Sequence, residues 1–325
     1  MSASVGRKIL LAVVLSLVAC GAAGQTNWPT KPITYVVPYP PGGTTDILGR
    51  TITQRLTSAL GQPIVVDNKA GATGTIGGAF VARAAPDGYT LLGTSIGPQT
   101  IVPHLMPKMQ YDPAKAYEPV IMVGTVPHVL VVAVTAPYKT VAELVAAAKA
   151  NPGGITFASG GNGTILQMQG EMLRLQSGTE MTHVPYKGDI PAMQDVMSGQ
   201  ATLVFVPVAA ALPQIQGGRL RALAVTTAER LKALPQVPTM TELGYKDFVV
   251  EQWQAIYAPA GTPPAIVGKL NDEIGRILKD PAVVTTLDKA GVTIVGGAPQ
   301  QLAQQQAADF ERWGRIIKAA NIKLD

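Results

Sequence analysis

Cysteine is nearly absent from this chain, and its scarcity excludes the most. Cys20 is the only one in 325 residues. It lies in the leader described below, so the mature protein has no disulfide framework and no thiolate chemistry. Histidine is almost as scarce. His104, His128 and His183 stand far apart and show no metal-ligand spacing with one another or with Cys20. No metal and no cofactor is expected. There is no G-K-[ST] sequence, which excludes a Walker-type nucleotide site. Charge is sparse at 14% of residues. The net charge of +5 drops to +3 once Arg7 and Lys8 leave with the leader. That excess is small and dispersed, and no basic cluster carries interleaved aromatics, so nucleic acid is excluded as a partner. After residue 24 no apolar run is long enough to span a bilayer.

Apolar residues are plentiful instead, at 47%, and over this length they suffice for a substantial core, expected in two lobes. Residues 1–24 read as a secretory signal peptide. Arg7 and Lys8 form its basic region, Ile9 to Ala19 its apolar region, and Ala22-Ala23-Gly24 suits cleavage before Gln25. Leu17-Val18-Ala19-Cys20 also fits a bacterial lipobox, which would lipidate Cys20, so cleavage and lipid anchoring are both open. Either way the protein is expected in the periplasm.

The chain is organised around Ile33 to Leu56. Ile33, Tyr35, Val36 and Val37 form a short buried strand. Pro40-Pro41-Gly42-Gly43 ends it, because proline lacks the N–H of a ladder and glycine permits φ > 0. Thr44 or Thr45 is expected to cap a helix with Asp46 in its first turn. Leu48, Ile52 and Leu56 give that helix one apolar stripe. A helix N-terminus after a glycine-rich turn attracts anions, since its first N–H groups lack partners and its dipole is positive there. Asp46 is expected to complement that dipole and to orient a water or a donor group of the ligand.

The same device recurs from Gly154 to Leu173. Ile155 to Ser159 reads as a strand, Gly160-Gly161-Asn162-Gly163 as the turn and Thr164 as the helix cap. A third strand-turn-helix runs from His183 to Gln200. Between and after these lie further apolar strands, glycine turns and helices. The alternation predicts an α/β fold with largely parallel sheets. The pattern restarts near Val129 and returns to strand near Val249. One lobe is therefore expected from residues 28–127 plus 251–325, and the other from 128–250, joined by two crossings.

Two enzyme motifs are poor matches. Gly93-Thr94-Ser95-Ile96-Gly97 is a G-x-S-x-G after a strand, but a nucleophile elbow needs a helix directly behind the serine. Pro98 and Pro103 are read as leaving too short a segment for one, so Ser95 is expected to line a cleft rather than to attack. Gly71, Gly74 and Gly77 have the wrong spacing for a dinucleotide fingerprint. The polar residues at strand ends are Thr, Ser, Asn and Gly, a binding inventory and not a catalytic one.

Six segments then occur in a familiar order: VVPYPPGGTTDILGR, Asn68 to Gly77, Pro86-Asp87-Gly88-Tyr89, Tyr111-Asp112-Pro113, His183 to Gly188, and Ala258 to Pro263. Together they resemble the Bug receptors, the extracytoplasmic solute-binding proteins of tripartite tricarboxylate transporters. The resemblance implies a type II, Venus-flytrap periplasmic-binding-protein fold with mixed, mostly parallel sheets and a cleft between lobes. It implies a monomer that holds a small carboxylate and delivers it to membrane transporter subunits. Dicarboxylates, tricarboxylates, amino acids and aromatic acids all carry the required group. Carried onto this sequence, the ligand loops are Tyr39 to Asp46, with Tyr39, Pro40, Gly42, Gly43, Thr44 and Asp46, and Ser159 to Gln167, with Ser159, Gly163, Thr164 and Gln167. Ser95, Tyr186, Gly188 and Asp189 complete the expected set. Family members often carry histidine at the position of Gln167 and asparagine at that of Val102; both departures bear on the outer part of the ligand more than on the carboxylate anchor. The alternatives are a secreted α/β hydrolase using Ser95 and a receptor for an inorganic oxyanion.

Overall fold

A computed structural model describes residues 27–106 and 108–323. The leader with Cys20 lies outside the described residues.

Apolar β-branched runs form the strands and threefold-to-fourfold apolar spacing the helices. In chain order these are β1 (Ile33–Val37), α1 (Thr44–Leu60), β2 (Ile64–Asn68), α2 (Thr75–Ala82), β3 (Thr90–Ser95), α3 (Val102–Leu105), β4 (Tyr117–Val126), β5 (His128–Ala133) and α4 (Val141–Ala150). There follow β6 (Ile155–Ser159), α5 (Ile165–Ser177), β7 (Met181–Pro185), α6 (Asp189–Met197), β8 (Leu203–Pro207), α7 (Val208–Gln216) and β9 (Leu220–Val225). The chain ends with β10 (Gln252–Pro259), α8 (Pro264–Ile277), α9 (Pro281–Lys289), β11 (Thr293–Ile294) and α10 (Pro299–Ala320).

The strands make two sheets. One has the order β11-β4-β10-β3-β1-β2, the other β7-β6-β8-β5-β9. Pairing is parallel where a helix joins the strands, as for β1 with β2 and β3 and for β6 with β7 and β8. It is antiparallel around β10 and β5, the strands next to the points where the chain changes sheet. The chain passes from the first sheet to the second at Pro127 and returns between Val225 and Gln252.

The apolar stripe of α1 is fully used: Leu48, Ile52 and Leu56 are buried against β1, as are Ile165, Met168 and Met172 of α5 beneath the second sheet. The caps differ in chemistry. Gly43, not Thr44 or Thr45, is the N-cap of α1, and no side chain caps it. The threonines fall inside the helix because the turn needs the extended backbone of Gly43 one residue earlier. Thr164 does cap α5, and Thr140 caps α4 through the N–H of Glu143. The Glu143 carboxylate reaches back to the N–H of Lys139 rather than to that of Thr140, so the capping box is only half formed.

A helix does stand behind Ser95. A π-helical turn, Gly97–Ile101, runs directly into α3. Pro98 stands in the first turn, where the missing N–H has no intrahelical acceptor to lose, and Pro103 stands in the first turn of α3, where the π-helical turn hands over to it.

The last helix, α10, touches both halves. Trp253 of β10 donates its indole N–H to Asp309 at 2.9 Å, and His104 Nε2 lies 2.8 Å from the Phe310 carbonyl. Toward the second sheet, Arg312 donates to the carbonyls of Val249, at 3.0 Å, and Asp247, and Arg174 of α5 donates to that of Ala320 at 3.4 Å.

Candidate functional site

The N-terminal ends of α1 and α5 border one cavity of about 400 Å³. The wall from the first sheet comprises Tyr39 to Pro41, Gly43 to Thr45, Thr73 and the turn Ser95 to Pro98. The opposing wall is Gly163 to Leu166, Gly188, Asp189 and Pro207. Gln252, at the start of β10, closes the cavity where the chain returns to the first sheet. Both helix ends offer N–H groups without intrahelical partners, and both dipoles are positive there. Two such ends on one cavity can share an anion without any basic side chain.

Each wall is held by its own hydrogen bonds. On the first, the Tyr39 hydroxyl lies 2.7 Å from Ser95 Oγ, and burial pushes the phenol up to about 12, so it stays neutral. Thr45 donates to Gln254 Oε1 at 2.8 Å, tying α1 to β10. Asp46 lies beneath the loop. Its Oδ2 accepts from the Gly42 N–H at 2.9 Å and from Arg50 Nε at 3.0 Å, and its Oδ1 accepts from Asn68 Nδ2 at 2.9 Å. Burial works against its charge, but the hydrogen bonds from Arg50, Gly42 and Asn68 outweigh it and hold the carboxyl below its ordinary range.

On the second wall, Thr164 Oγ1 donates to the Gly161 carbonyl at 2.7 Å and accepts from the Gln167 N–H at 3.4 Å. Gln167 Oε1 takes the Gly163 N–H at 2.8 Å. Ser159 Oγ bonds to His183 Nε2 at 2.6 Å and to both backbone groups of Gly161. Burial lowers the His183 imidazole to about 4, so it is neutral. The Gln167 amide faces its Nδ1 at 3.4 Å, which leaves the ring proton on Nε2, directed at Ser159. The walls meet where Gly163, at φ +76°, passes Leu105 and Val102 of α3. A β-carbon there would stand 3.3 Å from Leu105 Cδ1 and would be strained as well.

Of the residues singled out from sequence, Tyr39, Pro40, Gly43, Thr44, Ser95, Gly163, Thr164, Gly188 and Asp189 line this cavity. Gly42, Asp46, Ser159, Gln167 and Tyr186 do not; they sit behind it and brace the turns. Tyr186 donates its hydroxyl to Asp195 at 2.8 Å. Asp46 therefore faces Arg50 and Asn68 and not the cavity. Sequence reasoning missed Thr45, Thr73, Gln252 and the apolar floor Ile96, Ile165 and Leu166. Thr45, Ile165 and Leu166 lie within the two ligand loops and Ile96 follows Ser95, whereas Thr73 and Gln252 arrive through long-range packing. The histidines leave Ser95 alone: His104 bonds to the Phe310 carbonyl, His128 to Gln169 and His183 to Ser159.

Two sheets flanked by helices, joined by two crossings around a cavity bordered by opposed helix ends, define a two-lobed solute-binding protein. The comparisons carry this to a family. The profile described as tripartite tricarboxylate transporter family receptor matches residues 48–322. Protein BugT of Bordetella pertussis is 38% identical over 97% of this chain and 98% of its own. Among solved structures, R. palustris Rpa4515 with adipate has a TM-score of 0.81 at 35% identity, covering 91% of this chain and 99% of that one. MatC from Rhodopseudomonas palustris with bound malate has a TM-score of 0.78 at 33% identity, covering 89% and 100%. The chain belongs to the tripartite tricarboxylate transporter family of receptors.

Proposed function

We propose that this receptor works in the periplasm as a monomer, without catalysis, closing on a small organic carboxylate and presenting it to membrane transporter subunits. The observation that carries the reading is the pair of helix N-termini, α1 from one lobe and α5 from the other, bordering a cavity with no basic side chain on its wall. A carboxylate between them would accept N–H bonds from both, and closing would desolvate it and strengthen each bond. The relatives solved with adipate and malate support the same class of ligand. A volume of about 400 Å³ suits a small organic acid better than a bare oxyanion. Among the described residues no helix is long and apolar enough to cross a membrane.

Native mass spectrometry of the protein released gently from its own periplasm tests this. A retained organic acid, displaced by added carboxylates in calorimetry, is the expected result. Binding of sulfate or phosphate with no response to any carboxylate would move the assignment to an inorganic oxyanion, and turnover of ester substrates would overturn the receptor reading.

A further inference from the structure

One charged side chain stands on an otherwise neutral wall. Asp189, the first residue of α6, lines the cavity, and every other lining side chain is apolar or uncharged. Its carboxylate lies against the backbone of Gly160, so closely that a β-carbon on Gly160 would collide with Oδ1. Its sequence neighbour Lys187 is exposed and makes no ion pair with it. Among the described residues no cation and no donor side chain pairs with the carboxylate, and burial pushes it up to about 6. Among the described residues no group of three potential metal ligands includes it.

A carboxylate in a partly dry cavity is costly unless it is paired. The helix ends of α1 and α5 favour a negative group, while Asp189 favours a positive one. The cavity thus carries the polarity of a zwitterion. We infer that Asp189 pairs with an ammonium or other N–H-donating group of the ligand, so that the cleft selects an aminocarboxylate over a dicarboxylate of equal length. This rests on the carboxylate reading above and goes beyond it by naming the second polar group. A second carboxylate about 6 Å from Asp189, at an effective dielectric constant of about 20, would bind roughly 100-fold more weakly than an uncharged group there.

Calorimetry with matched probes tests the inference: β-alanine against succinate, 4-aminobutyrate against glutarate, and 5-aminopentanoate against adipate, each pair sharing its number of methylenes. The wild-type protein should favour the amino acid at least tenfold in the pair whose length fits. Asp189→Asn should reduce that ratio at least tenfold. Its melting temperature without ligand, unchanged or raised, shows that the lobe is still folded. Dicarboxylates binding as tightly as their amino partners, or a ratio that Asp189→Asn leaves alone, would overturn this inference and leave the carboxylate receptor standing. Failure of every probe of either kind would overturn both.

Discussion

Replacing Asp46 by asparagine separates support of the loop from contact with the ligand. Its carboxylate is 4% exposed and accepts hydrogen bonds from Gly42, Arg50 and Asn68. Asn68 in turn donates to the Tyr39 carbonyl at 3.1 Å, so the network fixes the backbone of the cleft wall. A hydrogen bond to a charged group contributes about 1.5–3 kcal/mol. The amide keeps one acceptor, and Arg50 is half exposed, so its ion pair adds only about 0.5 kcal/mol. The expected loss is about 2–3 kcal/mol, which at about 2–4 °C per kcal/mol lowers the melting temperature by roughly 5–10 °C. The pH dependence has a definite sign. The folded carboxyl lies below its unfolded value, so its stabilisation is complete above about pH 4 and is lost as the pH falls through the folded value. Melting curves of wild type and Asp46→Asn should therefore be well separated at pH 7 and converge in strong acid. Ligand affinity, measured by calorimetry with whichever carboxylate binds, should fall less than about tenfold, since Asp46 is off the cavity wall. An unchanged melting temperature with affinity reduced 100-fold would refute this reasoning and give Asp46 a direct part in binding.

Three further outcomes follow from the same geometry. Thr164→Ala removes a long cap bond and the bond to the Gly161 carbonyl, costing about 1–2 kcal/mol in thermal unfolding without ligand, and Thr164→Ser should restore it; equal losses in both variants would mean the methyl group is what matters. His128 is buried and held at about 4, so stability should fall as the pH drops from about 6.5 toward 4, on the order of 3 kcal/mol; His128→Leu should flatten the slope of unfolding free energy with pH by nearly one proton, and an unaltered slope would assign the acid sensitivity to other groups. Trp253 adjoins Gln252 of the cavity wall and bonds to α10, so in a Trp28→Phe, Trp313→Phe background its emission should change on carboxylate binding; calorimetric binding with silent emission would detach it from closure.

What was legible in the sequence was periodic or punctuated. The two strand-turn-helix devices announce themselves by apolar runs that stop at Pro40-Pro41-Gly42-Gly43 and Gly160-Gly161-Asn162-Gly163, and both turns border the cavity. Direction was harder to read. Gly42, Ser159 and Gln167 share the devices with lining residues but spend their bonds inward, on Asp46, His183 and Gly163. That choice depends on which neighbour packing supplies. Gln252 and Gln254 were invisible because the register of β10 against β3 and β4 brings them beside α1 across about 200 residues, and no local pattern encodes it. Proline misled once: Pro98 and Pro103 read as leaving too short a segment for a helix while serving as helix starts.

The last helix adds a mechanical consequence. Because α10 is bonded to β10 through Asp309 and to the far lobe through Arg312 and Ala320, rotation of one lobe against the other must bend it, slide it or release one set of bonds. If the lobes close as proposed, α10 would act as a leaf spring between them, and its stiffness would help set the fraction of molecules poised to close. Observed affinity is intrinsic affinity scaled by that fraction. On that reading, substitutions along α10 would retune how tightly the receptor holds its solute, and how readily it lets go, without altering any residue that lines the cleft.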